Sequence, residues 1–332
     1  MRRTLALVAL SGLVAACEMA TNAGSSNAAP PAAPPPAAAV PAPEPQKPGG
    51  PAVFDSGKAF EHLRQMVGFG PRPAGSEALR QTRAYITRQL SAAGLTTEEQ
   101  RFTAQTPIGP IEMVNLITRL PGKRSERILF TGHYDTKLMK GGQPFVGASD
   151  GASSGAFLIE LARVLKDQPR ELTYEFIWFD GEEAVGEWGT PLPNGEFDRT
   201  YGSRYYVKQA QKANALSSIK AMILVDMIGD RNLTIKREAS STAWLKDIIW
   251  GAAKRLGHGS IFQDEETPID DDHMEFLAVG VPSVDIIDLE YPEWHHQERC
   301  CDDLSKVGAR SLQIVGDVLL AALPEIEKRA GK

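Results

Sequence analysis

The sequence predicts a single α/β domain, and three observations carry that expectation. Helical and strand-like patterns alternate from about Pro51 onward, with neither an internal repeat nor a second linker. Of 332 residues, 42% are apolar, ample for a buried core. Finally, His133, Asp180 and Asp226 each fall at or just beyond the carboxyl end of an apolar run, the edge where open α/β sheets gather ligands and catalytic groups.

Ser56 is placed to cap a helix ending near Gly68, and a longer amphipathic helix runs from about Ser76 to a stop at Gly94. Strand patterns cover 111–120 and 127–133, split by the turn Pro121-Gly122-Lys123. A helix at 151–166, a buried strand at 172–179, a helix at 201–213 and a strand at 221–227 follow. The last third reads as helices at 242–256 and 272–279, a strand at 283–287 and a terminal helix at 303–320.

Upstream, Met1-Arg2-Arg3 precedes an apolar stretch at 5–13 and then Val14-Ala15-Ala16-Cys17. This stretch is well short of the ~20 residues a bilayer crossing needs, so residues 1–16 are expected to be a signal peptide. Small residues before a cysteine resemble a bacterial lipobox, with Cys17 lipidated and forming the mature N-terminus; an ordinary signal cleaved nearby is the alternative. Residues 17–52 are mostly Ala, Pro, Gly, Ser and Asn and cannot bury enough apolar surface to offset their ordering entropy. They are expected to tether a catalytic domain at 53–332, exported to the periplasmic side of the cell envelope and touching membrane only through the lipid anchor. Net charge is −6 with no long Lys/Arg run, so nucleic acid is not expected as a partner. Cys300-Cys301 are adjacent and would bridge only through a strained ring, so no structural disulfide framework is expected.

The chemistry lies in short motifs. In Thr131-Gly132-His133-Tyr134-Asp135, residues two apart on an extended chain face the same way, so His133 and Asp135 can enter one cleft together. A metal-bound imidazole needs an acceptor on its other nitrogen, and Asp135 is a natural one. The small-residue run at 147–155 leads into a helix; Asp150 there reads either as the helix cap or as a metal carboxylate on a backbone that only small residues permit. Glu182-Glu183 closely follow an apolar strand, and such neighbours can divide the labour of a metal site, one binding the ion and the other moving a proton. Asp226 is embedded in Leu224-Val225-Asp226-Met227, where a carboxylate needs either a cation or several donors to stay ionised. Trp294-His295-His296 reads as a surface group or as the imidazole the acids lack.

In this order and spacing, His133-x-Asp135, Asp150, Glu182-Glu183, Asp226 and Trp294-His295 resemble the pattern of the co-catalytic zinc aminopeptidases and their relatives, the animal-type glutaminyl cyclases. The resemblance spans about residues 54–320, including Gly70-Pro71-Arg72-Pro73-Ala74-Gly75-Ser76, which is similar to a motif near the start of such domains. It implies a three-layer α/β/α fold with a mixed, mostly parallel central sheet. It also implies that Asp150, Glu183 and His295 hold one zinc ion, and that Asp150 can bridge to a second ion held by His133 and Asp226. Glu182 becomes the general acid/base, Trp294 favours His295 over His296 as the ligand, and the Asp150–Gly151 peptide is expected to be cis.

Several stretches resemble the cyclase branch: residues 133–137, Asp180-Gly181-Glu182-Glu183-Ala184 followed by Trp188, Tyr201-Gly202-Ser203-Arg204, and Asp270-Asp271-Asp272-His273 ahead of Gly280-Val281-Pro282. This implies cyclisation of the N-terminal glutamine of a peptide or protein with release of ammonia. Zinc polarises the amide, Glu182 carries the proton beside the catalytic carboxylates Asp226 and Asp271, and Trp188 and Trp294 wall the pocket. Ordinary packing is the other reading for either tryptophan. Two positions depart from the animal pattern: Asp285 stands where those enzymes carry histidine, and Gly132 where the secreted ones carry cysteine. The competing reading is an aminopeptidase in which the same Glu182 activates water. A non-catalytic envelope lipoprotein is the third, and its signature, loss of Glu182 or of a ligand, is missing.

Overall fold

A computed structural model describes residues 52–140, 144–295 and 301–332. All of them belong to one compact unit, Gln46–Lys332. The expected signal peptide, Cys17, nearly all of the expected tether, His296 and Cys300 lie outside the described residues.

Strands run in chain order β1 (Thr97–Thr106), β2 (Gly109–Leu120), β3 (Arg127–His133), β4 (Thr173–Phe179), β5 (Ile219–Asp226), β6 (Ile235–Glu238), β7 (Phe262–Thr267) and β8 (Ser283–Ile287). The helices are α1 (Ser56–Gly68), α2 (Glu77–Ala92), α3 (Ala152–Leu165), α4 (Tyr201–Lys212), α5 (Ala243–Arg255), α6 (Asp272–Leu277) and α7 (Ala309–Ala330). The central sheet has the order β1-β2-β4-β3-β5-β8, with β6 and β7 paired separately. The β1/β2 and β2/β4 pairs are antiparallel, whereas β4, β3, β5 and β8 run parallel, which is the mixed, mostly parallel sheet expected.

Alternation along each strand creates the three layers. Ile128, Phe130, Phe176, Trp178, Ile223 and Val225 face one side and share a core with α1, α2, α3, α5 and α7. Leu129, Ile177, Phe179, Met222 and Leu224 face the other and pack with α4 and α6. Each fully buried side chain of this size contributes about 1.5–3 kcal/mol. The close approach of α3 to the sheet explains Gly132: a Cβ there would lie 2.7 Å from Ser154 Cβ and 3.0 Å from the Val225 carbonyl oxygen.

The differences from expectation have local causes. Asp55, not Ser56, caps α1, accepting the Lys58 N–H at 3.1 Å. Strands β1, β6 and β7 escape the apolar-run signal because their sequences are largely charged or polar, as in the Thr97-Glu98-Glu99-Gln100-Arg101 start of β1. The terminal helix starts at Ala309 because the residues before it are tied elsewhere, Val307 bridging to Asp230 and the Gly308 N–H donating to the Gly229 carbonyl. It passes through Pro324 to Ala330 because its apolar stripe continues with Leu323 and Ile326. Cys301 is disulfide-bonded. Its backbone has φ 113°, so strain is tolerated at this point.

Between α1 and α2, His62 Nδ1 lies 2.7 Å from the Tyr85 hydroxyl, and burial pushes the imidazole down to about 4 from 6.5. The unfolded chain therefore takes up this proton first as pH falls. The neutral-His62 contribution is complete above pH 6.5 and is lost progressively as pH drops toward 4, at up to roughly 1.4 kcal/mol per pH unit. Urea unfolding across this window should give a shallower loss of stability in His62→Gln than in the native protein, and parallel curves would refute the assignment.

Candidate active site

Because β3, β4 and β5 are parallel neighbours, their carboxyl ends open on one edge, and each delivers an ionisable group there. His133 closes β3, Asp226 closes β5, and Asp180 to Glu183 follow β4 directly. The 144–150 loop brings Asp150, and the loop after β8 brings Trp294 and His295. All of the acids and His133 are buried.

Asp150 does not cap α3. Gly151 occupies the cap position without any side-chain hydrogen bond, leaving the Asp150 carboxylate free to point elsewhere. The Asp150–Gly151 peptide is trans, correcting the cis expectation, as are all other peptide bonds among the described residues. The turn is made instead by Gly151 at φ 87°, where a Cβ would come within 2.2 Å of the Asp135 carbonyl oxygen and 3.1 Å of His133 Cε1.

Asp150, Glu183 and His295 converge as expected. His295 Nε2 is 3.2 Å from Glu183 Oε1 and 3.6 Å from Asp150 Oδ2. A tetrahedral ion with ligands at about 2.0–2.2 Å would hold its donor atoms roughly 3.3–3.6 Å apart. Among the described residues, Asp150 Oδ2 and both Glu183 oxygens are buried without a hydrogen-bond partner, a costly state for carboxylates unless a cation satisfies them. The residues therefore fit a divalent cation. A second grouping, His133, Asp150 and Asp226, is also within reach of one ion. There one pair is hydrogen-bonded, His133 Nε2 to Asp226 Oδ1 at 2.9 Å, with Asp150 Oδ1 at 3.3 Å from the same nitrogen.

The electrostatics follow from burial of like charges. Burial, then Glu183, raises Asp150 to about 6, whereas burial of Glu183 is outweighed by His295, which draws it down to about 2. Burial holds Glu182 well above the usual carboxylate range despite His133, with Asp271 and Glu183 adding to the effect. Against burial, Asp226 and the other carboxylates hold the His133 imidazolium well above its ordinary value. Burial and Asp226 lift Asp271 to about 7.

The acids and His295 form the floor of a cavity of about 220 Å³. Glu182, Trp188, Asp226, Asp271 and Trp294 also line it, as expected, and Met227, Ile269 and Ile287 complete the apolar wall. Trp188 is fixed by its indole N–H on Asp270 at 3.3 Å, and Asp271 Oδ2 has no hydrogen-bond partner. Met227 adopts φ 48°, a strained left-handed conformation stabilised by its N–H donating to Asp226 Oδ1 at 2.8 Å.

Other expectations are revised. Asp135 lies 3.4 Å from His133 Nδ1, yet its hydrogen bonds go to the backbone N–H groups of Glu182 and Glu183, both at 3.3 Å. It therefore holds the glutamate backbone as well as facing the imidazole. Asp180 is absent from the cavity: its carboxylate accepts the Val114 N–H and the Tyr134 hydroxyl, stitching β4 to β2. Asp285 is buried behind Asp271, with both oxygens unpartnered and His273 Nδ1 at 3.7 Å. Sequence reasoning missed Asp302, which accepts the Ser149 and Asp150 N–H groups, and Arg72, fully buried among carbonyl oxygens. Both act across long sequence separations that no local pattern records.

Buried acids and imidazoles gathered on the carboxyl edge of a mostly parallel sheet, at a spacing that fits a divalent cation, define the site of an enzyme. The chain belongs to peptidase family M28, whose model matches residues 115–323. It is 30% identical over 253 residues to a glutaminyl-peptide cyclotransferase-like protein of Mus musculus, a match covering 68% of this chain and 64% of that protein. The crystal structure of an Acidobacteriales bacterium glutaminyl cyclase matches with a TM-score of 0.76 at 36% identity, covering 87% of this chain and 100% of that one. A Zn-dependent exopeptidase from Parabacteroides distasonis matches with a TM-score of 0.71 at 25% identity, covering 81% of this chain and 97% of that one.

A cation that binds only the folded protein stabilises it by about 4 kcal/mol at a thousandfold excess over Kd. Chelation should therefore lower the melting temperature, with zinc restoring it. His295→Ala should abolish that response, and a melting curve indifferent to chelator in the native protein would sink the metal assignment.

Proposed function

We propose that the chain is a zinc-dependent glutaminyl-peptide cyclotransferase that converts the N-terminal glutamine of peptides or proteins to pyroglutamate with release of ammonia. The observation that carries this reading is the small cavity of about 220 Å³, walled by Trp188 and Trp294 and floored by one open donor set. Its size suits a single side chain, below the ~300 Å³ at which sites for larger ligands begin. The likeness to cyclases supports it.

Zinc held by Asp150, Glu183 and His295 would supply Lewis acidity toward the side-chain amide oxygen. The rest belongs to the protein. Trp188 and Trp294 flank the glutamine side chain and exclude water, which would otherwise compete with the intramolecular amine. The α-nitrogen bonds to the side-chain amide carbon, Glu182 takes one proton from it, and the same carboxyl returns a proton to the departing nitrogen as the carbon–nitrogen bond breaks. A lactam and ammonia result. A carboxyl held above its ordinary range by burial is suited to both halves of that transfer. The unpartnered oxygen of Asp271 offers an acceptor for the substrate's N–H groups.

Aminopeptidase activity is the second reading, favoured by the complete second donor set of His133, Asp150 and Asp226. Against it, His133 already bonds to Asp226 and is not part of the cavity wall. The proposal extends to the cellular setting: export by the signal peptide at 1–16, lipidation at Cys17, and a domain held off the envelope membrane by residues 17–52.

Purified protein given an N-terminal-glutamine peptide should release ammonia and leave a pyroglutamyl product with the chain uncut, as resolved by mass spectrometry. Free amino acid from that peptide or from a leucine anilide, without cyclisation, would instead establish the peptidase. Glu182→Gln should lower turnover roughly a hundred- to ten-thousandfold with zinc still bound, and an unchanged rate would remove Glu182 from its role.

A further inference from the structure

Asp302 is fully buried, and every donor it meets through its carboxylate belongs to a segment carrying a candidate metal ligand or leading to one. The Ser149 N–H donates to both oxygens, at 2.8 and 3.0 Å, and the Asp150 N–H donates to Oδ2 at 2.8 Å. Its backbone carbonyl accepts the Ala148 N–H at 3.1 Å. On its other side, Oδ1 accepts the hydroxyl of Tyr291, itself fully buried, at the start of the loop that carries His295. Nearby, Lys306 Nζ donates to Glu293 at 2.8 Å, a second link between the same two stretches of chain.

We propose that Asp302 is a positioning residue that fixes the separation of Asp150 from His295 and thereby sets the affinity of the site for its metal. The inference rests on the reading that Asp150, Glu183 and His295 hold a metal ion. Asp150 and His295 come from loops far apart in sequence, and Glu183 has its own backbone support from Asp135. One carboxylate spans the other two. Asp302 accepts two consecutive N–H groups and a hydroxyl at once, which a carboxylate can do and a carboxamide cannot, since the amide nitrogen presents hydrogens where acceptors are required. Asp302→Asn keeps the shape and loses the clamp.

The test is zinc affinity, measured by competition with a chromophoric chelator on the full chain. Asp302→Asn should weaken zinc binding about 10–100-fold, the effect expected when support behind a metal ligand is removed, and raising free zinc should restore turnover. Tyr291→Phe, which removes one hydroxyl and leaves Asp302 in place, should weaken binding in the same direction by a smaller factor, and serves if Asp302→Asn does not fold. Native affinity in both variants, or in Tyr291→Phe alone where the other fails to fold, would overturn the proposal while leaving the metal site intact. Lost turnover in folded Asp302→Asn that excess zinc cannot restore would also overturn it. A native protein that binds no zinc would overturn the underlying reading instead.

Discussion

The structure is organised around an electrostatic problem at one sheet edge. Parallel pairing of β3, β4 and β5 forces their carboxyl ends together, and those ends carry or lead into His133, Glu182, Glu183 and Asp226, with Asp150 arriving beside them. Packing that many carboxylates in a buried place is unfavourable unless positive charge or donated hydrogen bonds answer them. His133 and His295 answer part of it, and Lys137, bonded to the Ala184 and Gly186 carbonyls, lends charge to the Glu183 side. What they leave unanswered, at Asp150 and Glu183, is where a divalent cation fits.

The surrounding chain uses the same side-chain type for a different purpose. Asp135 accepts the N–H groups of Glu182 and Glu183, Asp198 those of Val185 and Gly186, and Asp302 those of Ser149 and Asp150. Each carboxylate replaces the ladder partner that a loop lacks, so irregular backbone is pinned without becoming strand or helix. An acidic site and an acidic scaffold are thus interleaved, and residues of one chemistry divide into those that face the cavity and those that face the backbone.

That division explains how far the sequence could be read. Long apolar runs predicted β3, β4, β5 and β8, and 3.6-residue periodicity predicted α2, α3 and α5 to within a residue or two, because burial governs both patterns. Local motifs, together with the family resemblance they carry, singled out Asp150, Glu182, Glu183, Trp188, Asp226, Asp271, Trp294 and His295, all of which meet in one cavity. Polar edge strands such as β1 left no apolar trace, and Asp135's second task, holding the Glu182 and Glu183 backbone, was not foreseen. Asp302, 152 residues beyond Asp150, has no local signature, because its significance comes entirely from where the fold places it.

Arg72 extends this logic beyond the residues that the family model matches, 115–323. Its guanidinium is fully buried and donates to the carbonyls of Val146 and Gly147, in the loop that leads to Asp150, as well as to Met66, Gly70 and Tyr134. The leading helices are thus a working part of the enzyme and not a detachable preface. A shortened version that starts at the matched region would leave the Asp150 loop without its keystone, so a self-sufficient unit must include Arg72.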